Sequence, residues 1–99
     1  MKMLTIAAAL ATATTARMGA AVRANKVCVV NLGGYDLNWW VTDLVTGVDG
    51  TNSGSYPIDQ TRCQDIEIYG LQDGDFLEVY VHADAGVTKA GDTALIYQA

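Results

Sequence analysis

From Lys26 onward, apolar residues return at every second position, and that period decides what the chain folds into. Successive side chains of an extended strand point to opposite faces, so two-residue alternation describes strands with one buried face. The first such run covers residues 27–32 and stops at Gly33-Gly34. The second, residues 37–45, places Leu37, Trp39, Val41 and Val45 on one face and Asn38, Trp40, Thr42 and Leu44 on the other. A run over 61–69 sends Ile66 and Ile68 inward and Asp65 and Glu67 outward. In the run 76–82, Leu77, Val79 and Val81 oppose Glu78, Tyr80 and His82. Residues 93–98 form the last run, with a short extra strand expected at 86–88.

Turn formers separate these runs. Asp73-Gly74 lies between two alternating segments and reads as the turn of a hairpin joining them. The polar connection 46–55 holds three glycines with Asp49, Asn52 and Ser53, and a tight turn is expected at Asp49-Gly50. Pro57, the single proline, has no N–H for a ladder, which confines 56–58 to a sheet edge or a strand start. No helical period follows the first two dozen residues. The list fits an all-β domain, a small antiparallel β-sandwich or open barrel of five to seven strands, spanning residues 25–99.

The segment before it has a different character. Lys2 is followed by thirteen uncharged residues, Leu4 to Ala16, too few to span a bilayer, which takes roughly 20. A basic start, a short apolar middle and the small-residue exit Ala21-Val22-Arg23-Ala24 describe a removable secretory signal over residues 1–24. Arg17, Arg23, the many threonines and the lack of any acid before Asp36 also suit an organelle transit peptide. A retained Ala-rich amphipathic helix is the third reading. The secretory one is adopted, and with it an extracellular location and no membrane span.

Cutting after Ala24 removes three of the six basic residues and none of the eleven acids, leaving a net charge of −8 on 75 residues. Such a surface repels duplex nucleic acid and anionic lipid, which excludes both as partners. Cys28 and Cys63 survive the cut. An even pair in a short exported chain favours one disulfide, closing a loop of 35 residues. Strand parity argues the other way. Cys28 keeps step with Val30 and Leu32, read as inward, whereas Cys63 keeps step with Asp65 and Glu67, read as outward. A bridge then needs a bulge near Gln64 to reset the register; two separate thiols are the alternative.

Little in the chain points to catalysis. His82 is the only histidine, and its neighbours along one strand face, Glu78, Tyr80 and Asp84, are spaced about 7 Å apart, too far for direct partnership. No nucleophile elbow and no Cys/His metal pattern is present, so neither catalytic nor metal residues are assigned. Asp49-Gly50-Thr51-Asn52 and Asp73-Gly74-Asp75 offer hard oxygens of the kind calcium takes, without the twelve-residue loop pattern; ordinary turn chemistry accounts for them.

Trp39-Trp40 is the most informative pair. On a strand the two rings face opposite ways, one into the core and the other, Trp40 by parity, outward. An outward Trp with polar neighbours anchors a protein partner or a sugar ring. Tyr80 and Tyr69 extend the aromatic surface if their strands lie beside that of Trp40, and Asp49 and Asn52 add acceptors from the loop. The expected function is a secreted, non-catalytic binding module for a protein partner, another copy of itself or a glycan. A small secreted toxin or effector acting on cells, and a structural protein polymerising through open sheet edges, are the alternatives. The export reading predicts that the natural product begins at or beside Asn25. Intact mass spectrometry checks it, and a product retaining Met1 or Lys2 defeats it.

Overall fold

A computed structural model describes residues 3–8, 21–84, 86–91 and 94–99. Among the described residues there is no helix. Eight strands build two sheets: β1 (Met3–Ala8), β2 (Val22–Ala24), β3 (Lys26–Asn31), β4 (Leu37–Asp43), β5 (Thr61–Asp65), β6 (Phe76–Ala83), β7 (Thr88–Ala90) and β8 (Leu95–Tyr97). One sheet has the order β1-β3-β5. The other runs β2-β8-β6-β4, with β7 paired to β6 beyond β8. The fold is all-β and consistent with a small sandwich, as the two-residue period requires.

The first two strands come from the segment assigned to the export signal, whose residues 9–20 lie outside the described ones. β1 pairs with β3, and β2 with β8, both in parallel. The sheets are therefore mixed, but every strand pairing between described residues after Asn25 is antiparallel.

A shared apolar layer joins the sheets. Val27 and Val29 of β3 meet Leu37, Trp39 and Val41 of β4 and Leu77, Val79 and Val81 of β6, with Ile66, Ile68 and Leu95 filling in. Trp39 is fully buried, and a ring of that size removes roughly 150–250 Å² from water. At about 25 cal/mol per Å² that amounts to about 4–6 kcal/mol. Tyr56 ties the layers together. Its backbone pairs with Leu37 beside β4, and its hydroxyl donates to the Val29 carbonyl of β3 across the interior at 2.7 Å. Burial pushes the Tyr56 pKa up to about 12, with smaller opposing effects from the Trp39 indole N–H and the Arg62 guanidinium. The indole nitrogen itself has no partner in hydrogen-bond geometry. Arg62 lies over the Tyr56 ring, 5.2 Å from its centre.

The disulfide joins Cys28 to Cys63, and the parity conflict dissolves without a bulge. The residues of β3 that join the core are Val27 and Val29, so Cys28 belongs to the outer face together with Cys63, its direct cross-strand partner. β3 is apolar on both faces, which is why its parity misled. Cys28 is buried beneath the bridge and Met3, whose Sδ lies 3.3 Å from Cys28 Sγ.

Three further expectations are corrected. The strand expected over 61–69 ends at Asp65, and its hairpin with 76–82 does not form: β5 and β6 belong to different sheets. Ile66 and Ile68 carry the chain through the core from one sheet to the other, and Gly74 (φ 91°) turns it into β6. In the 46–55 connection the turn is at Gly47 (φ 77°), whose N–H donates to the Asp43 carbonyl, and not at Asp49-Gly50. The short strand expected at 86–88 is β7, shifted to 88–90.

Asp43 ends β4 on its core-facing side. It is fully buried, with Oδ1 accepting the Val45 N–H and Oδ2 unpartnered. Its interaction partner is the Asp75 carboxyl: the nearby Asp43 side chain, with burial adding to it, raises the Asp75 pKa above the usual carboxylate range. A folded-state pKa above the unfolded one means that the contribution is complete below about pH 4 and is lost as pH rises through the raised value. Asp75→Asn supplies a permanent N–H donor. Its melting temperature is expected to exceed that of the parent at neutral pH, with the gain fading as pH falls toward about 4. A pH-independent difference, or a loss at neutral pH, contradicts this account of the pair.

Candidate functional site

The outer face of the five-stranded sheet carries the candidate site. The β4–β6 ladder sets Trp40 opposite Tyr80, Asn38 opposite His82 and Thr42 opposite Glu78. Because Trp39 and Val41 are committed to the interior, the residues between and beside them face outward by the strand's own pleat. Trp40 and Tyr80 stack, with ring centres 5.8 Å apart and planes 21° from parallel, and both are half-buried. Their direct pairing joins the two rings that sequence parity had placed outward separately.

Polar groups frame the rings on several sides. Asn52 Nδ2 donates to Asn38 Oδ1 at 2.8 Å, and Asn52 Oδ1 accepts the Gly54 N–H. Thr42 Oγ1 donates to Asp49 Oδ1 at 2.6 Å. On the other flank His82 Nδ1 and Thr88 Oγ1 are 2.7 Å apart, a hydrogen bond whose direction follows the imidazole tautomer.

The 46–55 connection delivers two of these groups by running along the free edge of β4. Backbone groups of the connection and of β4 are matched in turn: Asp43 N–H donates to Val48 O, Gly50 N–H to Val41 O and Ser53 N–H to Trp39 O. Gly50 is required by close approach, since a Cβ there would stand 3.0 Å from Ile68 Cγ1 and 3.2 Å from Val41 O. The segment is held from the other sheet as well, by Arg62 Nη1 donating to Ser53 O and Gln64 Nε2 to Thr51 O.

Of the residues singled out from sequence, Trp40, Tyr80, Asp49 and Asn52 come together here. Tyr69 does not join them. It sits in the turn after Ile68, outside both sheets' strands, and is 89% exposed. Asn38, Thr42, His82 and Thr88 are framing residues to which sequence analysis gave no binding role. Parity put the first three on this face, but only the pairing of β4, β6 and β7 shows that they surround two rings. The calcium-type oxygens are engaged locally: Asp49 as above, Asp73 Oδ1 with the Ala99 N–H and Asp75 Oδ2 with the Gln72 N–H. Among the described residues no three His, Cys, Asp or Glu side chains gather as a metal would need.

The two tryptophans separate stability from surface. Trp39→Ala empties the interior and is expected to cost about 3–5 kcal/mol. Trp40→Ala removes a half-buried ring and one stacked pair, about 1–2 kcal/mol. Urea unfolding of both variants checks the contrast; equal losses contradict it.

No family model, no curated protein and no solved structure matches the chain, so its function has to be read from these residues and their surroundings.

Proposed function

We propose that the protein is an exported, non-catalytic binding module that receives a saccharide ring on the Trp40–Tyr80 face. The observation that carries this is the stacked aromatic pair held half-exposed on the outer face of the β4–β6 ladder and framed by amide, hydroxyl, carboxylate and imidazole groups. Aromatic rings give an apolar floor to the C–H face of a sugar, and groups fixed around them meet its hydroxyls. The framing side chains are already ordered by hydrogen bonds to one another, which lowers the entropy cost of binding.

Several features support the wider reading. The Cys28–Cys63 bridge fits an oxidising compartment. His82 is taken up by Thr88 and Asp49 by Thr42, an arrangement suited to recognition. Among the described residues no helix is long and apolar enough to cross a membrane.

Glycan-array screening of the purified protein tests the proposal. Binding to at least one array glycan is expected, with Trp40→Ala losing about 2 kcal/mol, roughly thirtyfold in Kd, while its fold is kept. An array with no signal for the parent protein, or signals unchanged in Trp40→Ala, overturns it.

A further inference from the structure

The three-stranded sheet has an edge that differs from every other edge described. β5 carries Arg62 and Asp65, β7 carries Lys89, and the free side of β4 is covered by residues 48–56. Charges and covering segments of this kind stop sheets from pairing edge to edge. Among the described residues the β1 side has neither. β1 is Met-Leu-Thr-Ile-Ala-Ala, without a charge, and β3 beneath it carries only Lys26, at its first residue. Removing residues 1–24 transfers the problem to β3, whose ladder to β1 extends over all six residues of each strand, while the loss of β2 frees only the three residues of β8.

The present occupant shows what the seat accepts. Leu4 stands opposite Val27 and Ile6 opposite Val29, and both apolar side chains pack onto the core, while Thr5 and Ala7 are exposed. The seat therefore reads alternation, with branched apolar groups at every second residue and small ones between. Val27 and Val29 have no exposure while it is filled.

We propose that, once the leader is cut away, β3 takes an extended segment of a partner protein as a parallel strand, with branched apolar side chains opposite Val27 and Val29. Charge decides against another copy as the occupant. Residues 25–99 carry a net −8, so a second copy brings like charge, whereas an uncharged or basic segment does not. Main-chain hydrogen bonds would supply affinity and the two apolar positions specificity, as in strand addition generally. This surface belongs to the three-stranded sheet and is independent of the saccharide reading.

The test uses the whole chain with β1 unseated by Leu4→Asp together with Ile6→Asp. The probe is an acetylated, fluorescein-labelled peptide of residues 3–8 followed by two lysines, read by fluorescence anisotropy. Saturable binding to the double variant is expected. It should be roughly tenfold weaker for the unaltered chain, whose seat is filled, and for a peptide with serine in place of both branched residues. No binding, equal binding of the two peptides, or conversion of the variant to a dimer in sedimentation velocity overturns the proposal, the last by giving the edge to a second copy. If the double variant loses near-ultraviolet dichroism, Ile6→Asp alone is used. If that variant unfolds as well, β1 is an integral strand and the proposal falls.

Discussion

Trp39 governs the structure on both sides of its sheet. A fully buried indole in the interior of a domain this small cannot be moved without emptying much of the core, so the register of β4 is pinned by it. A slip of one residue would exchange Trp39 for Trp40 and turn every outward group inward. The outer face inherits its order from that constraint. Trp40 is directed outward because its neighbour is not, and Tyr80 meets it because the β4–β6 register that packs Trp39 against Val81 also sets the next pair in line.

The edge of β4 shows how an irregular segment does the work of a strand. The chain from Val48 to Tyr56 has glycines at 50 and 54 and a proline following it, and only single bridges at Asp49 and Tyr56 mark it as β. It nevertheless satisfies the backbone groups of β4 that would otherwise face water, and it brings Asp49 and Asn52 to the rings. Asn31 plays the same part at the other end of β3. Fully buried, it donates to the carbonyls of Tyr35 and Tyr56 and accepts the Gly33 N–H, which fixes the loop leading into β4. Buried polar groups are tolerated when paired in this way.

Alternation was legible wherever a strand had one wet face. β6 follows it throughout and β4 from Leu37 to Val41, and the outward placement of Trp40 and Tyr80 follows from parity alone; beyond that, outward Thr42 is buried, and Val45, expected inward, lies past the strand's end and is 64% exposed. It failed where both faces are covered. β3 faces the core on one side and carries the disulfide, with Met3 beside it, on the other, so Val27, Cys28, Val29 and Val30 carry no usable contrast, and Cys28 was set on the wrong face. The 61–69 run failed for a different reason. Ile66 and Ile68 keep the period of two after the ladder has ended, because a chain crossing between sheets through the interior buries side chains as a strand does. The site was half legible for the same reason that strand order was not. Period assigns a residue to a face, and only long-range pairing tells which faces share a sheet.

The disulfide acquires its meaning from β5. Thr61, Arg62, Cys63 and Asp65 are exposed and Gln64 is only half-buried, so this strand contributes almost nothing to the core. Among the described residues its ladder to β3 is the one strand pairing it has. Yet the residues that follow it, Ile66 and Ile68, must enter the interior at a defined point, and those that reach back from it, Arg62 and Gln64, hold the segment that frames the rings. A cross-strand bridge closing a 35-residue separation is worth about 3–4 kcal/mol in the chain-entropy view, on the scale of a whole buried side chain. It supplies from the outer surface the hold on β5 that apolar packing does not, and through Arg62 and Gln64 that hold extends to the far face, where the aromatic pair lies.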